Sequence, residues 1–170
     1  MFEILRGLAK SKVVTERLII TTELSMEELG QKLHNKIKKI CKNSLHIRYV
    51  DAGACNACDF EINALPNPIY DIQQYGIDFV ASPRHADMLL VTGVVTRNLE
   101  IALIKTYEAC PQPVLVVAVG ACACGQGVFK DAYAAGGGVE KYLPVDIFVP
   151  GCPPTPELIL KGILTAINKI

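Results

Sequence analysis

Residues 114–125 read VLVVAVGACACG, and this stretch decides the fold class. A run of six apolar, mostly β-branched residues is typical of a strand that is buried on both faces of a parallel sheet. The glycine and cysteines that follow at once predict a loop at the carboxyl end of that strand. Because α/β sheets bind ligands beyond the carboxyl ends of their strands, these cysteines stand where a ligand site is expected.

Strand-like and helical segments alternate on both sides of this stretch. Further strands are predicted at residues 46–51, 77–81, 88–92 and 145–149. Helices are predicted from Cys55 to Pro66, over 99–109 with Asn98 as its cap, and from Pro156 with Thr155 as its cap. The glycine run 136–138 is interpreted as a turn. Strands separated by helices indicate βαβ units, and so an α/β fold with a parallel sheet.

The first 45 residues differ in charge from the rest of the chain. Residues 1–45 carry nine Lys/Arg and five Asp/Glu, whereas residues 46–170 carry eight and twelve, so the neutral total is a cancellation. We therefore predict an N-terminal extension, 1–45, and a compact domain, 46–170. Within the extension, residues 13–22 are rich in β-branched side chains and predict an edge strand.

Two helices have clear apolar stripes. Ser25 and Glu28 match a capping box, and the apolar residues after Ser25 recur at steps of three and four. This predicts an amphipathic helix that packs on its own domain, docks on a partner subunit or contacts a membrane. The closing helix is predicted to bury its apolar residues, including Leu158 and Ile170.

Composition argues against several classes of protein. The formal net charge is zero, which argues against nucleic-acid binding as the main function. No segment has the pattern of a secretory signal, and the apolar runs are shorter than the roughly 20 residues of a membrane span. The seven cysteines are an odd number, so we expect a reducing compartment in which they are thiols or metal ligands.

Cysteines follow three of the predicted strands, and the sheet brings such positions to one edge. The four are Cys55, Cys58, Cys122 and Cys152. Four thiolates bind either Zn²⁺ or an iron–sulfur cluster. Structural zinc usually takes two close pairs, whereas here one pair is joined by two distant cysteines, so the spacing favours a cluster. Zinc, a redox dithiol at the close pair and inert buried thiols stay open as alternatives.

The other three cysteines are not predicted ligands. Cys124 competes with Cys122, and we choose Cys122 because it comes first after the strand. Cys41 and Cys110 lie on the flank of a helix stripe and at a helix end, where a packing role is expected.

Five motifs follow one another along the chain: DAGACNACDFE at 51–61, SPRHAD at 82–87, VTGVVT at 91–96, GACA at 120–123 and VDIFVPGCPP at 145–154. Together they resemble the small, cluster-bearing subunit shared by [NiFe]-hydrogenases and respiratory complex I, the 20-kDa or B subunit. The resemblance covers roughly residues 46–170. It implies a flavodoxin-like parallel sheet with helices on both faces, and one [4Fe–4S] cluster on Cys55, Cys58, Cys122 and Cys152.

One spacing discriminates within this superfamily. Complex I-type chains have two adjacent cysteines in the first motif, whereas Cys55 and Cys58 are spaced as in hydrogenase small subunits. Few residues follow Cys152, so the chain has room for one cluster of this kind. The chain is therefore similar to the small subunits of energy-converting, membrane-bound (group 4, Ech-type) hydrogenases.

That resemblance implies a role and a set of partners. The chain would relay electrons between a ferredoxin-like iron–sulfur subunit and the NiFe centre of a large subunit. Proton reduction to H₂ would be coupled to ion translocation by integral membrane subunits. The chain would be peripheral, on the cytoplasmic side of the cell membrane, and not catalytic alone. The alternative is the equivalent cluster subunit of a complex I-related quinone or sulfur oxidoreductase without NiFe.

A few polar residues near the motifs are candidates for lesser roles. Glu61 lies three residues after Cys58, so a helix would place both on one side, where Glu61 tunes the cluster, passes protons or is simply solvated. Arg84 is predicted to pair with the cluster or the large subunit, or to be an ordinary surface arginine. His85 is expected to be packed, with hydrogen-bond donation to a cluster ligand as the alternative, and Asp59 is expected to lie at the surface.

Overall fold

The computed structural model of the chain describes residues 25–41 and 44–169. Its helices are α1 (Met26–Ile40), α2 (Ala57–Ala64), α3 (Glu100–Ala109) and α4 (Pro156–Ile167). Its strands are β1 (Leu45–Asp51), β2 (Ile77–Phe79), β3 (Met88–Thr92), β4 (Val95–Thr96), β5 (Leu115–Val119), β6 (Ala135–Gly137) and β7 (Ile147–Val149). Short 3₁₀ helices cover Ile72–Tyr75, Pro83–His85 and Val139–Lys141.

The main sheet is parallel throughout and has five strands, in the order β2-β1-β3-β5-β7. Counted along the chain, these strands take the order 2-1-3-4-5 that is typical of flavodoxin-like folds. All five were expected from the sequence, and the strand at 88–92 has the predicted bounds. The predicted α/β class and flavodoxin-like sheet are therefore confirmed.

Helices cover both faces of the sheet. On one face, α1, α2 and α4 pack on one apolar core, to which they contribute Leu33, Ile62 and Ile163. On the other face, Leu103 of α3 and Val139 of the third 3₁₀ helix pack against the alternate side chains of the strands. Because both faces are covered, the central strand β3 is buried along its whole length.

Helix α1 belongs to the same core as the sheet. Leu29, Leu33 and Ile37 are spaced along one stripe, and each is almost completely buried against the first core. The Ser25 side chain accepts a hydrogen bond from the Glu28 backbone at 3.3 Å, as the capping box predicts. The apolar stripe of α1 is thus covered by its own domain. The division into 1–45 and 46–170 stays a prediction, and the predicted strand at 13–22 lies outside the described residues.

Three local predictions are wrong. Helix α3 begins at Glu100 after Leu99, and no side chain caps it, so Asn98 is not its cap. The glycine run 136–138 is more than a turn, because Ala135–Gly137 pairs antiparallel with β4 as a two-stranded sheet. Leu158 is 37% exposed, because its face of α4 borders a surface groove beside the edge strand β7.

The caps of the closing helix are as predicted. Thr155 accepts a hydrogen bond from the Leu158 backbone at 3.4 Å, and Pro156 takes the first helical position. Among the helices of the described segments, none combines the length and the hydropathy that a bilayer crossing requires.

Candidate metal centre

Four neighbouring strands end at one level of the sheet. Asp51 of β1 is in register with Thr92 of β3, Thr92 with Val119 of β5, and Val119 with Val149 of β7. The loops that leave these strands therefore start side by side at the carboxyl edge. Three of those loops carry the predicted ligands, so the topology brings them together as the sequence indicated.

The loop after β1 is shaped by Asp51. Its Oδ1 atom accepts hydrogen bonds from the backbone N–H groups of Gly53 at 2.7 Å and Ala54 at 2.6 Å. This aspartate-centred turn redirects the chain away from the strand. Cys55 follows it and is exposed, and Cys58 lies half-buried in the first turn of α2.

The loops after β5 and β7 are joined to each other. The Gly120 N–H donates to the Val149 carbonyl at 2.8 Å, and the Ala121 N–H donates to the Gly151 carbonyl at 2.7 Å. These bonds continue the ladder of the sheet past its edge. Cys122 and Cys152 are consequently held on neighbouring, hydrogen-bonded loops.

Gly120 is the point at which the first loop meets the β5 loop. It has a φ of +93°, and a Cβ atom built on it would lie 2.5 Å from Sγ of Cys58. Only a glycine allows the sulfur to approach this backbone so closely. Cys58 is thereby seated directly on the loop that carries Cys122.

The loop that follows Cys122 wraps around its sulfur. A Cβ atom at Gly127 would lie 2.2 Å from Sγ of Cys122. Burial raises the pKa of this thiol, hydrogen bonds from the backbone of Phe129 and Val128 lower it, and the charges of Cys152 and Cys55 raise it. The backbone donors stabilise a thiolate, which is the form that binds metal.

The four thiols act on one another electrostatically. Burial, followed by the charges of Asp59, Cys55, Cys122 and Cys152, raises the pKa of Cys58 to about 12. If all four lost their protons, the thiolates would repel each other, and a cationic group bound among them would offset that repulsion. The close contacts of the Cys58 sulfur with Gly120 and of the Cys122 sulfur with Gly127, together with four thiol donors, fit an iron–sulfur cluster.

In the described ranges, no three His, Cys, Asp or Glu side chains are grouped closely enough to hold one metal ion. A single zinc needs four ligands within about 2.3 Å of one point. The number of metal ions that the four thiols would hold stays a prediction.

The remaining cysteines stand apart from this group. Sγ of Cys124 lies 3.9 Å from the Val149 carbonyl, and burial followed by the charge of Glu140 raises its pKa. The choice of Cys122 over Cys124 as a ligand stays a prediction. Cys110 is buried and donates to the Thr106 carbonyl at 3.3 Å, and Cys41 caps α1.

The predicted auxiliary residues lie in different places. Glu61 is partly buried on α2, one turn after Cys58. Arg84 and His85 are exposed in the 3₁₀ helix that leads toward the amino end of β3, whereas the cysteine loops follow carboxyl ends. An exposed Arg84 is available to a partner, and its role and that of Glu61 stay predictions. His85 is not packed, contrary to expectation.

Asp59 was predicted to lie at the surface, and this is wrong. It is only 9% exposed, and its Oδ1 atom accepts hydrogen bonds from the hydroxyl groups of Tyr49 and Thr92. The two donors are 10 and 33 residues from Asp59 in the sequence, so the position of Asp59 on a short helix did not predict its burial. The sequence feature that could have predicted it is a Tyr and a Thr near the carboxyl ends of two strands that pair in parallel.

Fold and site together define a class of protein: a flavodoxin-like α/β chain with a cysteine centre at the carboxyl edge of its sheet. The family model for the NADH ubiquinone oxidoreductase 20 Kd subunit matches residues 55–166, a span that contains three of the four strand-end loops in full. The chain belongs to this family, the 20-kDa subunits of complex I and their relatives.

Relatives in the family include hydrogenase subunits. The chain is 38% identical over 151 residues to formate hydrogenlyase subunit 7 of Escherichia coli, covering 89% of this chain and 59% of that protein. It is 44% identical over 144 residues to a probable membrane-bound hydrogenase subunit, mbhJ, of Pyrococcus furiosus, covering 82% and 86%. The chain thus spans less than two thirds of the Escherichia coli relative.

A solved structure has the same fold. It is that of the membrane-bound sulfane sulfur reductase, an archaeal respiratory membrane complex, with a TM-score of 0.66 and 36% sequence identity. The match covers 81% of this chain and 75% of the other. The likeness supports the flavodoxin-like fold and the membership of an oxidoreductase-subunit family.

Proposed function

We propose that this chain is the electron-transfer subunit of a membrane-bound, energy-converting [NiFe]-hydrogenase. It would hold one [4Fe–4S] cluster and relay electrons between a ferredoxin-like subunit and the NiFe centre of a large subunit. The overall reaction would be ferredoxin-driven H₂ evolution coupled to ion translocation. In this proposal the chain does not activate hydrogen itself, because all four proposed ligands would hold the cluster.

The observation that carries this proposal is the meeting of three cysteine loops at one sheet edge. Sγ of Cys58 lies against the backbone of Gly120, on the same loop as Cys122. The β7 loop with Cys152 is hydrogen-bonded to it. Cys55 lies three residues before Cys58, in the loop that leads into α2. A four-thiol centre with one close pair and two separated ligands suits a cluster that accepts ligands from distant loops.

When bound, a [4Fe–4S] cluster supplies a site that gains and loses one electron. The residues that would hold it are Cys55, Cys58, Cys122 and Cys152. The protein sets the potential through hydrogen bonds to the sulfurs, burial and nearby charge. Backbone donors from Phe129 and Val128 to Cys122 would stabilise the more negative, reduced form. Cys55 and Cys152 are exposed, so a partner can approach the centre closely.

The proposed partners are a NiFe large subunit, a ferredoxin-like iron–sulfur subunit and integral membrane subunits. Support comes from the hydrogenase named in Pyrococcus furiosus and the hydrogenlyase named in Escherichia coli. By the same reasoning we propose a peripheral location on the cytoplasmic side of the cell membrane. Protease accessibility of the chain in sealed, inside-out membrane vesicles tests that side, and protection from protease in them would contradict it.

A second candidate is the equivalent subunit of a quinone or sulfur oxidoreductase without NiFe. The sulfane sulfur reductase structure favours it. A subunit of the NADH-quinone oxidoreductase of Citrifermentans bemidjiense, which is 46% identical over 114 residues, favours it too. A cavity of about 360 Å³ beside α2, with Tyr49, Ile62 and Phe79 among its lining residues, offers room for a small substrate.

One experiment tests the metal centre. The full chain, purified without oxygen, should be brown, contain four irons and four sulfides, and give a cluster EPR signal on reduction. The Cys41→Ser variant is a control that removes a thiol outside the proposed centre and should keep the signal. A colourless chain with one zinc would overturn the proposal in both of its forms.

A second experiment separates the two candidates. Mass spectrometry of the intact native complex identifies the large subunit, whose sequence shows whether it has paired Cys-x-x-Cys motifs at both ends. Nickel in the complex and H₂-dependent dye reduction support the hydrogenase. A large subunit without those motifs, in a nickel-free complex, would assign the chain to the second candidate.

A further inference from the structure

A buried carboxylate lies immediately beside the candidate metal centre. Within the described ranges, the buried polar or charged residues other than Tyr and Cys are Asp59, 9% exposed, and Thr92, 0% exposed. Burying a carboxylate without compensation is costly, so such a group is normally paired or hydrogen-bonded. Neither the ligands nor the fold class explains why an acid occupies this position.

Two hydroxyl groups meet the same oxygen of this carboxylate. The Tyr49 hydroxyl donates to Oδ1 of Asp59, and the Thr92 hydroxyl donates to it at 2.8 Å. The two hydroxyl oxygens are themselves 3.2 Å apart. We refer to these three residues as the Tyr49–Asp59–Thr92 triad. Hydrogen bonds to an ionised acceptor are about twice as strong as neutral ones.

Each member of the triad comes from a different element. Tyr49 lies in β1, Thr92 is the last residue of β3, and Asp59 lies in the first turn of α2. The triad therefore ties the start of α2 to the ends of two central strands. Cys58 is the residue before Asp59, with Cα atoms about 3.8 Å apart, so holding Asp59 also holds Cys58.

The donors keep their protons at neutral pH. Burial, followed by the hydrogen bond to Asp59, raises the pKa of Tyr49 well above its ordinary value. Thr92 has a hydroxyl that does not ionise. The triad is thus a fixed arrangement of two donors and one acceptor, with its negative charge one residue from a proposed ligand.

We infer that Asp59 is a positioning residue that fixes Cys58 against Gly120 and keeps the potential of the centre low. The inference rests on the proposed cluster. A carboxylate next to the centre opposes the arrival of an electron, and the donors of Tyr49 and Thr92 partly offset that charge. Removing the charge and removing a donor should therefore move the potential in opposite directions.

The experiment compares two nearly isosteric variants in the full chain, purified anaerobically. Asp59→Asn keeps the shape and removes the charge, whereas Tyr49→Phe keeps the charge and removes one donor. Glu108→Gln on α3 and Tyr133→Phe are the controls, because both side chains are exposed. Iron content, the EPR g-values of the reduced chain and the midpoint potential are measured.

Asp59→Asn should favour reduction about tenfold, which equals about 59 mV upward for one electron. Tyr49→Phe should lower the potential and change the g-values, because Cys58 is held less firmly. Both controls should match the unaltered chain. If Asp59→Asn does not assemble a centre, Tyr49→Phe decides: a lowered potential supports the inference, and an unchanged one overturns it.

Two results would overturn the inference while leaving the proposed function intact. In the first, the unaltered chain has a normal cluster, and both triad variants have the same midpoint potential as the controls. In the second, the midpoint potentials of both triad variants shift in the same direction, as expected if the triad has only a structural role. An unaltered chain without iron would instead refute the proposed function itself.

Discussion

Replacing Gly120 by alanine should damage the metal centre far more than replacing Gly125. Both glycines have a left-handed backbone, with φ values of +93° and +76°. Alanine in that region costs about 1–2 kcal/mol at either position. The loss of conformational entropy in the unfolded chain is also the same for both substitutions. The two variants therefore differ chiefly in what the new methyl group meets.

At Gly125 the nearest atoms to an added Cβ belong to Gly138 and lie 3.6 Å away, which is ordinary contact. At Gly120 the Cβ would lie 2.5 Å from Sγ of Cys58, so the sulfur or the loop has to move. Overpacking of this kind costs about 1–3 kcal/mol. The free energy of unfolding should thus fall by about 2–5 kcal/mol for Gly120→Ala and about 1–2 kcal/mol for Gly125→Ala.

Urea denaturation of the full chain measures these two differences, and iron and sulfide analysis after anaerobic reconstitution measures the centre. Gly120→Ala should lose most of its iron because a ligand is displaced, whereas Gly125→Ala should keep it. If the two variants have equal iron content and equal stability, Cys58 does not pack on residue 120, and the proposed convergence of the loops is refuted.

Three further outcomes are expected. Cys122→Ser should abolish the cluster, because a serine does not replace a thiolate ligand, and Cys124→Ser should retain it; iron analysis that gives the reverse would overturn the ligand choice. Burial raises the pKa of Cys110 above its usual value near 9.0. Its iodoacetamide alkylation should therefore be slower than in the urea-unfolded chain at pH 8 and keep accelerating above pH 9; equal rates would contradict its burial. Leu33→Ala should cost about 2–5 kcal/mol in urea unfolding, and the exposed Leu158→Ala under about 1 kcal/mol; a small loss for Leu33 would mean that α1 is not part of the core.

Much of the fold follows from local pattern. The strands β3 and β5 are covered on both faces, so nearly every residue in them is buried and apolar. A continuous apolar run of this kind predicts a strand directly from the sequence. The cap at Thr155 is equally local, since its partner is three residues away. Pairing of Ala135–Gly137 with β4 was missed because two-residue strands and glycines have no pattern of their own.

Part of the candidate centre also follows from the sequence, and part depends on tertiary packing. Placing Cys58, Cys122 and Cys152 at one edge needs only the order of strands and the rule that parallel strands end together. The choice between Cys122 and Cys124, by contrast, depends on which sulfur faces the other thiols. The two sulfurs have different neighbours, since Sγ of Cys122 lies against Gly127 and Sγ of Cys124 lies near the Val149 carbonyl, and both contacts depend on how the loop packs.

The sequence by itself determined the α/β class, the family motifs and the candidate ligands that we propose, because each depends on residue identity and spacing along the chain. Only the tertiary structure decided that Asp59 is buried and hydrogen-bonded to Tyr49 and Thr92, and that the Cys58 sulfur packs against Gly120. Both contacts join residues more than 30 positions apart or on separate elements. Such contacts exist only once the strands are side by side, since the sheet, and not the local chain, brings those atoms together.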